Sequence, residues 1–154
     1  DFGIIFGNAV TEKYNFLKIP AKDTWGVLMR CDSELAQKDS ITPEDLWDKP
    51  LIISHQKNQD TELSAWLKQD LSKLNIVATY NLLFNASLMV DEGLGYAIGL
   101  DKIINITENS HLCFRPLTPK VEAELYIIWK KYQVFSKAAE KFMLKLKELQ
   151  EYPI

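Results

Sequence analysis

The chain has 154 residues, a net charge of -3 and a 47% hydrophobic composition, enough for one domain or two small lobes around a sizeable core. The negative balance excludes nucleic-acid binding by this chain alone, because phosphate recognition needs clustered positive charge. No apolar run approaches the length of a bilayer-crossing helix.

Residues 4–6 read as a short strand that Gly7 and Asn8 end with turn chemistry. The chain opens without methionine and already inside this strand, so it reads as an excised fragment. Residues 16–20 and 24–30 are two further extended segments, the second (TWGVLMR) crossing the interior. Residues 33–37 read as a short exposed helical turn. Thr42-Pro43-Glu44-Asp45 predicts a helix start: a hydroxyl cap, Pro at the first helical position, then acids at the positive helix end. Trp47 to Pro50 stops that helix, and residues 51–53 form a buried strand. A polar loop over 54–59 leads to a helix expected over 61–71, with Leu63, Trp66, Leu67 and Leu71 facing inward.

The most informative stretch is 75–100, NIVATYNLLFNASLMVDEGLGYAIGL, which reads as strand, helix, glycine turn, strand. Gly93 falls where a helix end needs a left-handed residue, and residues 94–100 return as a buried parallel strand. Ligands in open α/β sheets lie at the carboxyl ends of strands, so the turn Tyr80-Asn81-Leu82 is a natural place to hold one. Further on, residues 101–105 read as a helical turn, 112–117 as an extended piece and 124–130 as a strong strand. The last helix starts near Ser136, with Phe135, Ala139, Phe142, Met143, Leu146 and Leu149 as its apolar stripe. The class is α/β.

Chemistry finds few candidates. Gly93, Gly95 and Gly99 follow their helix, whereas a dinucleotide fingerprint precedes one, so capping and close packing explain them better than a cofactor. His55 lies between Ser54 and Gln56 after a buried strand, and neighbouring side chains of extended backbone point apart. Ligand contact and plain loop surface are both open for it, ahead of catalysis. The two histidines, His55 and His111, belong to no short-spaced metal-ligand cluster, and no metal or other cofactor is expected. Asp91-Glu92 is a solvated helix end. Asn81 and Asn85 flank a helix start whose free N–H groups attract anions; either Asn could also cap the helix. Trp25, Trp66 and Trp129 read as packing, and the lysines of the last helix as a solvated face paired with Glu140 and Glu148. Cys31 and Cys113 are far apart and read as thiols of a reducing cytosol instead of a disulfide.

Four segments, DFGIIF, WGVLMRCDSELA with ITPEDLWDKPLI, LMVDEGLGYAIGL and LYIIWKKYQVFSKAAEKFM, stand in an order and spacing that resembles the effector-binding domain of LysR-type transcriptional regulators. The resemblance spans nearly all of the chain. It implies a periplasmic-binding-protein-like (type 2) fold of two α/β lobes joined by crossover strands, with a small effector in the cleft. It also implies a bacterial cytoplasmic regulator that touches DNA only through an N-terminal winged helix-turn-helix missing here, and that forms homodimers or homotetramers. On this reading residues 28–114 make a whole second lobe, while 1–27 and 115–154 make an incomplete first lobe with the crossover strands.

The site carried over from the resemblance has three parts: Phe6, Gly7 and Asn8 after the first strand; Ser54, His55 and Gln56 after strand 51–53; and Asn81, Phe84 and Asn85 at the central helix start. Polar tips and free N–H groups suit a small, anionic metabolite, with Arg30 the one arginine available to the cleft. Two rivals share the fold. A transporter's solute-binding protein needs a secretion signal; an enzyme, such as a dehydratase, needs a positioned hydroxyl or acid, for which Ser54, His55 and Thr79 compete.

Overall fold

The computed structural model describes residues 2–6, 12–55, 61–107 and 110–151, so the expected contacts of Gly7, Asn8 and Gln56 lie outside the described residues. Strand β1 (Gly3–Phe6) is followed by β2 (Tyr14–Arg30), where the two expected extended segments are one strand of 17 residues. Its first part is exposed or half-covered and contains Pro20, whose missing N–H is tolerated outside a packed sheet centre. Residues 25–29 of the same strand are buried without a break. The chain divides into two compact units, Asp1–Lys22 with Glu124–Ile154, and Asp23–Ala123.

In the first unit β7 (Glu122–Lys130) lies between β1 and the opening part of β2. The β1–β7 pairing is antiparallel, with Gly3 opposite Ile128 and Phe6 opposite Leu125. Helix α3 (Lys137–Glu151) starts as read from the sequence: the Ser136 hydroxyl accepts the Ala139 N–H at 3.2 Å, a serine cap. Its stripe buries Ala139 and Met143, while Phe142 stays 47% exposed. Phe142 instead meets Phe2, whose ring lies 5.2 Å from it and 5.1 Å from Phe135. Aromatic contacts of this kind add about 0.5–1.5 kcal/mol each beyond area burial.

The second unit is a sheet in the order β6, β2, β5, β3, β4, made with β3 (Leu51–Ser54), β4 (Ile76–Tyr80), β5 (Tyr96–Leu100) and β6 (Leu112–Pro116). β3 runs parallel to both β4 and β5, whereas β2 is antiparallel to β5 and β6. The βαβ unit read in 75–100 is therefore present, but its two strands flank β3 instead of touching. Helix α2 (Leu83–Asp91) covers this sheet, packing Leu83, Ala86 and Val90 on Leu28, Ile52, Tyr80, Ala97 and Leu112. It ends as the glycine suggested. Gly93 has φ +80°, its N–H reaches the Val90 carbonyl at 2.9 Å, and the Leu94 N–H reaches Met89 at 2.9 Å. Those two bonds are a Schellman closure.

Several local expectations fail, each for a nearby reason. The segment after Thr42 is one 3-10 turn, Pro43–Leu46, in which the Asp45 carboxylate accepts the Thr42 N–H at 3.0 Å; Trp47 to Pro50 end it before an α-helix can form. The turn Glu34–Gln37 buries Leu35 and Ala36 instead of standing exposed. Helix α1 (Thr61–Leu67) stops early because Lys68 takes φ 53°, and Asp70 starts a separate turn by accepting the Ser72 N–H at 2.9 Å. Leu71 thereby leaves the inward stripe and is 40% exposed. Residues 101–105 make turns, not a helix, with Lys102 at φ 62°. Cys31 and Cys113 are both free thiols.

Candidate functional site

Parallel strands β3 and β4 deliver their carboxyl ends to one place. Ser54 lies in register with Tyr80, and the His55 N–H donates to the Tyr80 carbonyl at 2.7 Å. The buried Tyr80 hydroxyl in turn donates to the Ile98 carbonyl at 2.7 Å, fixing this corner to β5. Gly99 makes room for it: a Cβ there would stand 2.7 Å from Leu83 Cδ1 and 3.2 Å from the Tyr80 hydroxyl. The glycines of the central stretch thus serve capping and close packing, as their order implied.

Helix α2 begins directly above this corner. Its cap is Leu82, in extended backbone, and no side chain caps it, so neither Asn81 nor Asn85 plays the capping role open to them in the sequence. The first donors back into the helix are Asn85 and Ala86, both to the Leu82 carbonyl at 3.0 and 3.4 Å. The amides of Leu83 and Phe84 precede that ladder, at the end of the helix where the peptide dipoles leave partial positive charge. Asn81, Phe84, Asn85 and His55 are exposed, and Ser54 is half-covered. Phe84 is 62% and Leu82 64% exposed, so this helix start carries polar donors and apolar side chains together.

Beside it the second unit contains a hollow of about 510 Å³, walled by Leu28, Leu83, Leu100, Ile103, Ile104 and Phe114 with Lys102 and Asn105 at polar positions. Leu83 belongs both to this wall and to the helix start. The sequence reading missed these residues because it assigned 101–105 to a helical turn; the signal available was the apolar pair Ile103-Ile104 in a stretch otherwise polar. Asp101 holds the start of that loop, its carboxylate accepting the Thr24 N–H at 2.8 Å. Lys102 is balanced by Asp101 at 3.4 Å and Asp23 at 3.7 Å.

Ser54, His55, Asn81, Phe84 and Asn85 come together in the second unit. Phe6 belongs to the first unit, half-buried, where it faces Leu125 on β7. Arg30 is corrected: it ends the strand antiparallel to β5, at the sheet end away from Ser54 and Tyr80. Its guanidinium donates to the Asp32 carboxylate at 2.7 and 2.9 Å and to the Asp91 carbonyl, the last turn of α2, at 2.8 Å. The bond from Arg30 holds the Asp32 carboxyl below its ordinary range, and the same bond raises the Arg30 pKa. That pairing closes a turn and a helix carboxyl end.

Among the described residues no helix is long and apolar enough to cross a membrane, and no group of three or more His, Cys, Asp or Glu is placed to hold a metal ion. No curated protein matches the chain. The family described as LysR substrate binding domain matches residues 1–151. Among solved structures, the LysR family regulator HinK from Pseudomonas aeruginosa matches at TM-score 0.74 and 17% identity, over 96% of this chain and 53% of that one. The C-terminal domain of a probable LysR family regulator from Rhodococcus sp. RHA1 matches at TM-score 0.76 and 15% identity, over 96% of this chain and 74% of that one. The CcmR regulatory domain of Synechocystis PCC6803, solved in complex with 2-PG, matches at TM-score 0.74 and 15% identity, over 99% of this chain and 74% of that one. The chain spans about half the length of HinK. Its α/β architecture is the periplasmic-binding-protein-like (type 2) fold of these regulatory domains, and the chain belongs to the LysR substrate binding domain family.

Proposed function

We propose that this chain is the sensory part of a bacterial LysR-type transcriptional regulator, holding a small-molecule effector and performing no chemistry on it. One observation carries the reading: the carboxyl ends of β3 and β4 bring Ser54 and His55 to the uncapped amino end of α2. Free amides at a helix start favour an anionic group. The hollow beside Leu83 suits an apolar portion of the same molecule. The effector we propose is therefore a small carboxylate or phosphate ester with some apolar body. Ser54, His55, Asn81, Phe84 and Asn85 are its contacts from the second unit, and Phe6, Gly7, Asn8 and Gln56 complete the set.

The two compact units correspond in this proposal to the two lobes, with residues 28–114 in the second. Effector binding biases the lobes and the assembly between states, which is how a site remote from DNA changes DNA binding. DNA is met by a separate winged helix-turn-helix, the regulator works in the cytoplasm, and it assembles as a homodimer or homotetramer. The test is a thermal-shift screen of the full-length protein against small carboxylates and phosphate esters. A true effector at a hundred times its Kd stabilises the protein by about 2.7 kcal/mol. Substituting His55 or Asn85 with alanine should reduce that shift. A screen in which no compound raises the unfolding temperature, or in which both variants respond like the parent, overturns the proposal.

A further inference from the structure

Gly26 on β2 stands directly opposite Gly99 on β5, so two neighbouring positions on one face of the sheet carry no side chain. The space above each is filled by a residue that walls the hollow of the second unit. A Cβ on Gly26 would collide with Phe114 Cζ and stand 2.5 Å from its Cε1, so the Phe114 ring lies back along β2 over Gly26. Phe114 reaches that place from β6, where it is opposite Leu28, two residues further along the same face. A Cβ on Gly99 would stand 2.7 and 2.8 Å from the two methyl carbons of Leu83. The glycine pair is thus a floor on which Phe114 and Leu83 rest, and both side chains line the hollow.

Polarity changes from the mouth of this hollow to its depth. Its two polar lining residues, Lys102 and Asn105, are exposed, whereas Leu28, Leu83 and Leu100 are buried. Lys102 is already balanced by Asp101 and Asp23, so it offers little charge to a second anion. The volume of about 510 Å³ falls within the usual range of small-molecule sites, about 300–1,000 Å³.

We propose that the effector has a single anionic head and an uncharged apolar tail, that the tail enters this hollow, and that the Phe114 ring, seated on Gly26, limits its length. The inference rests on the reading of the α2 start as the seat of the head. A tail ending in a second carboxylate, or bearing hydroxyls, would bring polar groups against Leu28, Leu83 and Leu100 without partners, which costs more than the tail gains. Dicarboxylates and sugar phosphates are therefore disfavoured. Leu83 belongs to the helix that holds the head, whereas Phe114 belongs to β6, so Phe114 can be altered with the α2 start left in place.

The probes are straight-chain monocarboxylates from butanoate to decanoate, titrated by calorimetry into the full-length protein. In the parent, Kd should fall about fourfold per added methylene, equivalent to about 0.8 kcal/mol of burial, up to a limiting length beyond which it no longer improves. In Phe114→Ala the limit moves to longer acids, and Phe114→Leu lies between. Phe114→Leu retains an apolar side chain on the glycine floor, and melts without ligand separate lost binding from lost structure. Gly26 is not the position to vary, because the Arg115 carbonyl also stands 2.5 Å from a Cβ there. A dicarboxylate as long as the best monocarboxylate should bind at least about tenfold more weakly. An unchanged limit in both variants, or a dicarboxylate bound as tightly, overturns the inference and leaves the proposed effector site standing. So does a parent that ignores every monocarboxylate of the series yet is stabilised by another carboxylate or phosphate ester. A parent that no such compound stabilises overturns both.

Discussion

Leu83→Ala tests whether the candidate site is built on the wedge between α2 and β5. Leu83 is 6% exposed, belongs to the core cluster of the second unit and borders the 510 Å³ hollow. Truncation removes three buried carbons, about 2.4 kcal/mol at roughly 0.8 kcal/mol each. A sealed cavity would add more, and buried Leu→Ala changes cost about 2–5 kcal/mol overall. Here the deletion enlarges a space that already exists, so the cavity contribution is small and the total should be about 2.5–3 kcal/mol. For a chain of this size that lowers the unfolding temperature by about 5–12 °C, at about 2–4 °C per kcal/mol. The assay is urea denaturation of parent and variant, read as the midpoint with the slope unchanged. A loss under about 1 kcal/mol would mean that Leu83 does not anchor the helix start, and a loss above about 4 kcal/mol that the hollow is not open beside it.

Gly93→Ala meets nothing within 4 Å, so its cost is the left-handed backbone at φ +80° alone, about 1–2 kcal/mol by urea denaturation. Arg30→Ala should leave the effector-induced thermal shift unchanged, because Arg30 pairs with Asp32 and the end of α2; a lost shift would return it to the site. At Asp45, burial raises the carboxyl pKa, but hydrogen bonds from Lys38 and Thr42 outweigh it and hold the value below the ordinary 3.8. Because the folded value is the lower one, the stabilisation is complete above pH 3.8 and is lost as pH falls through the folded value. Asp45→Asn should therefore be less stable than the parent at pH 7 and converge with it in acid, followed by denaturation at a series of pH values; a gap that stays constant contradicts the assignment.

Much of the fold was legible because period and punctuation agree over 75–100: a β-prone run, a helical stripe, a glycine at the helix end and a buried return strand all specify one local arrangement. Pairing order was not legible, since nothing in 75–100 shows that β3 comes between β4 and β5. The helix expected over 61–71 was cut short because a single left-handed residue, Lys68, resets the phase of its stripe and exposes Leu71, and a lysine carries no sequence signal for that conformation. The turn Tyr80-Asn81-Leu82 was legible as a candidate because carboxyl ends of parallel strands are a topological address, whereas Ser54 and His55 entered through the family resemblance. The Ile103–Ile104 wall was missed because its residues gain meaning only from β2 and β6, which lie far away in sequence.

Amide hydrogen exchange on the full-length protein, with and without the strongest stabilising carboxylate or phosphate ester from the thermal screen, tests the central claim most directly. Slowed exchange at the Leu83 and Phe84 amides, together with protection at His55, is the predicted result. Protection that leaves those amides at their free rate and falls elsewhere in the chain would contradict it.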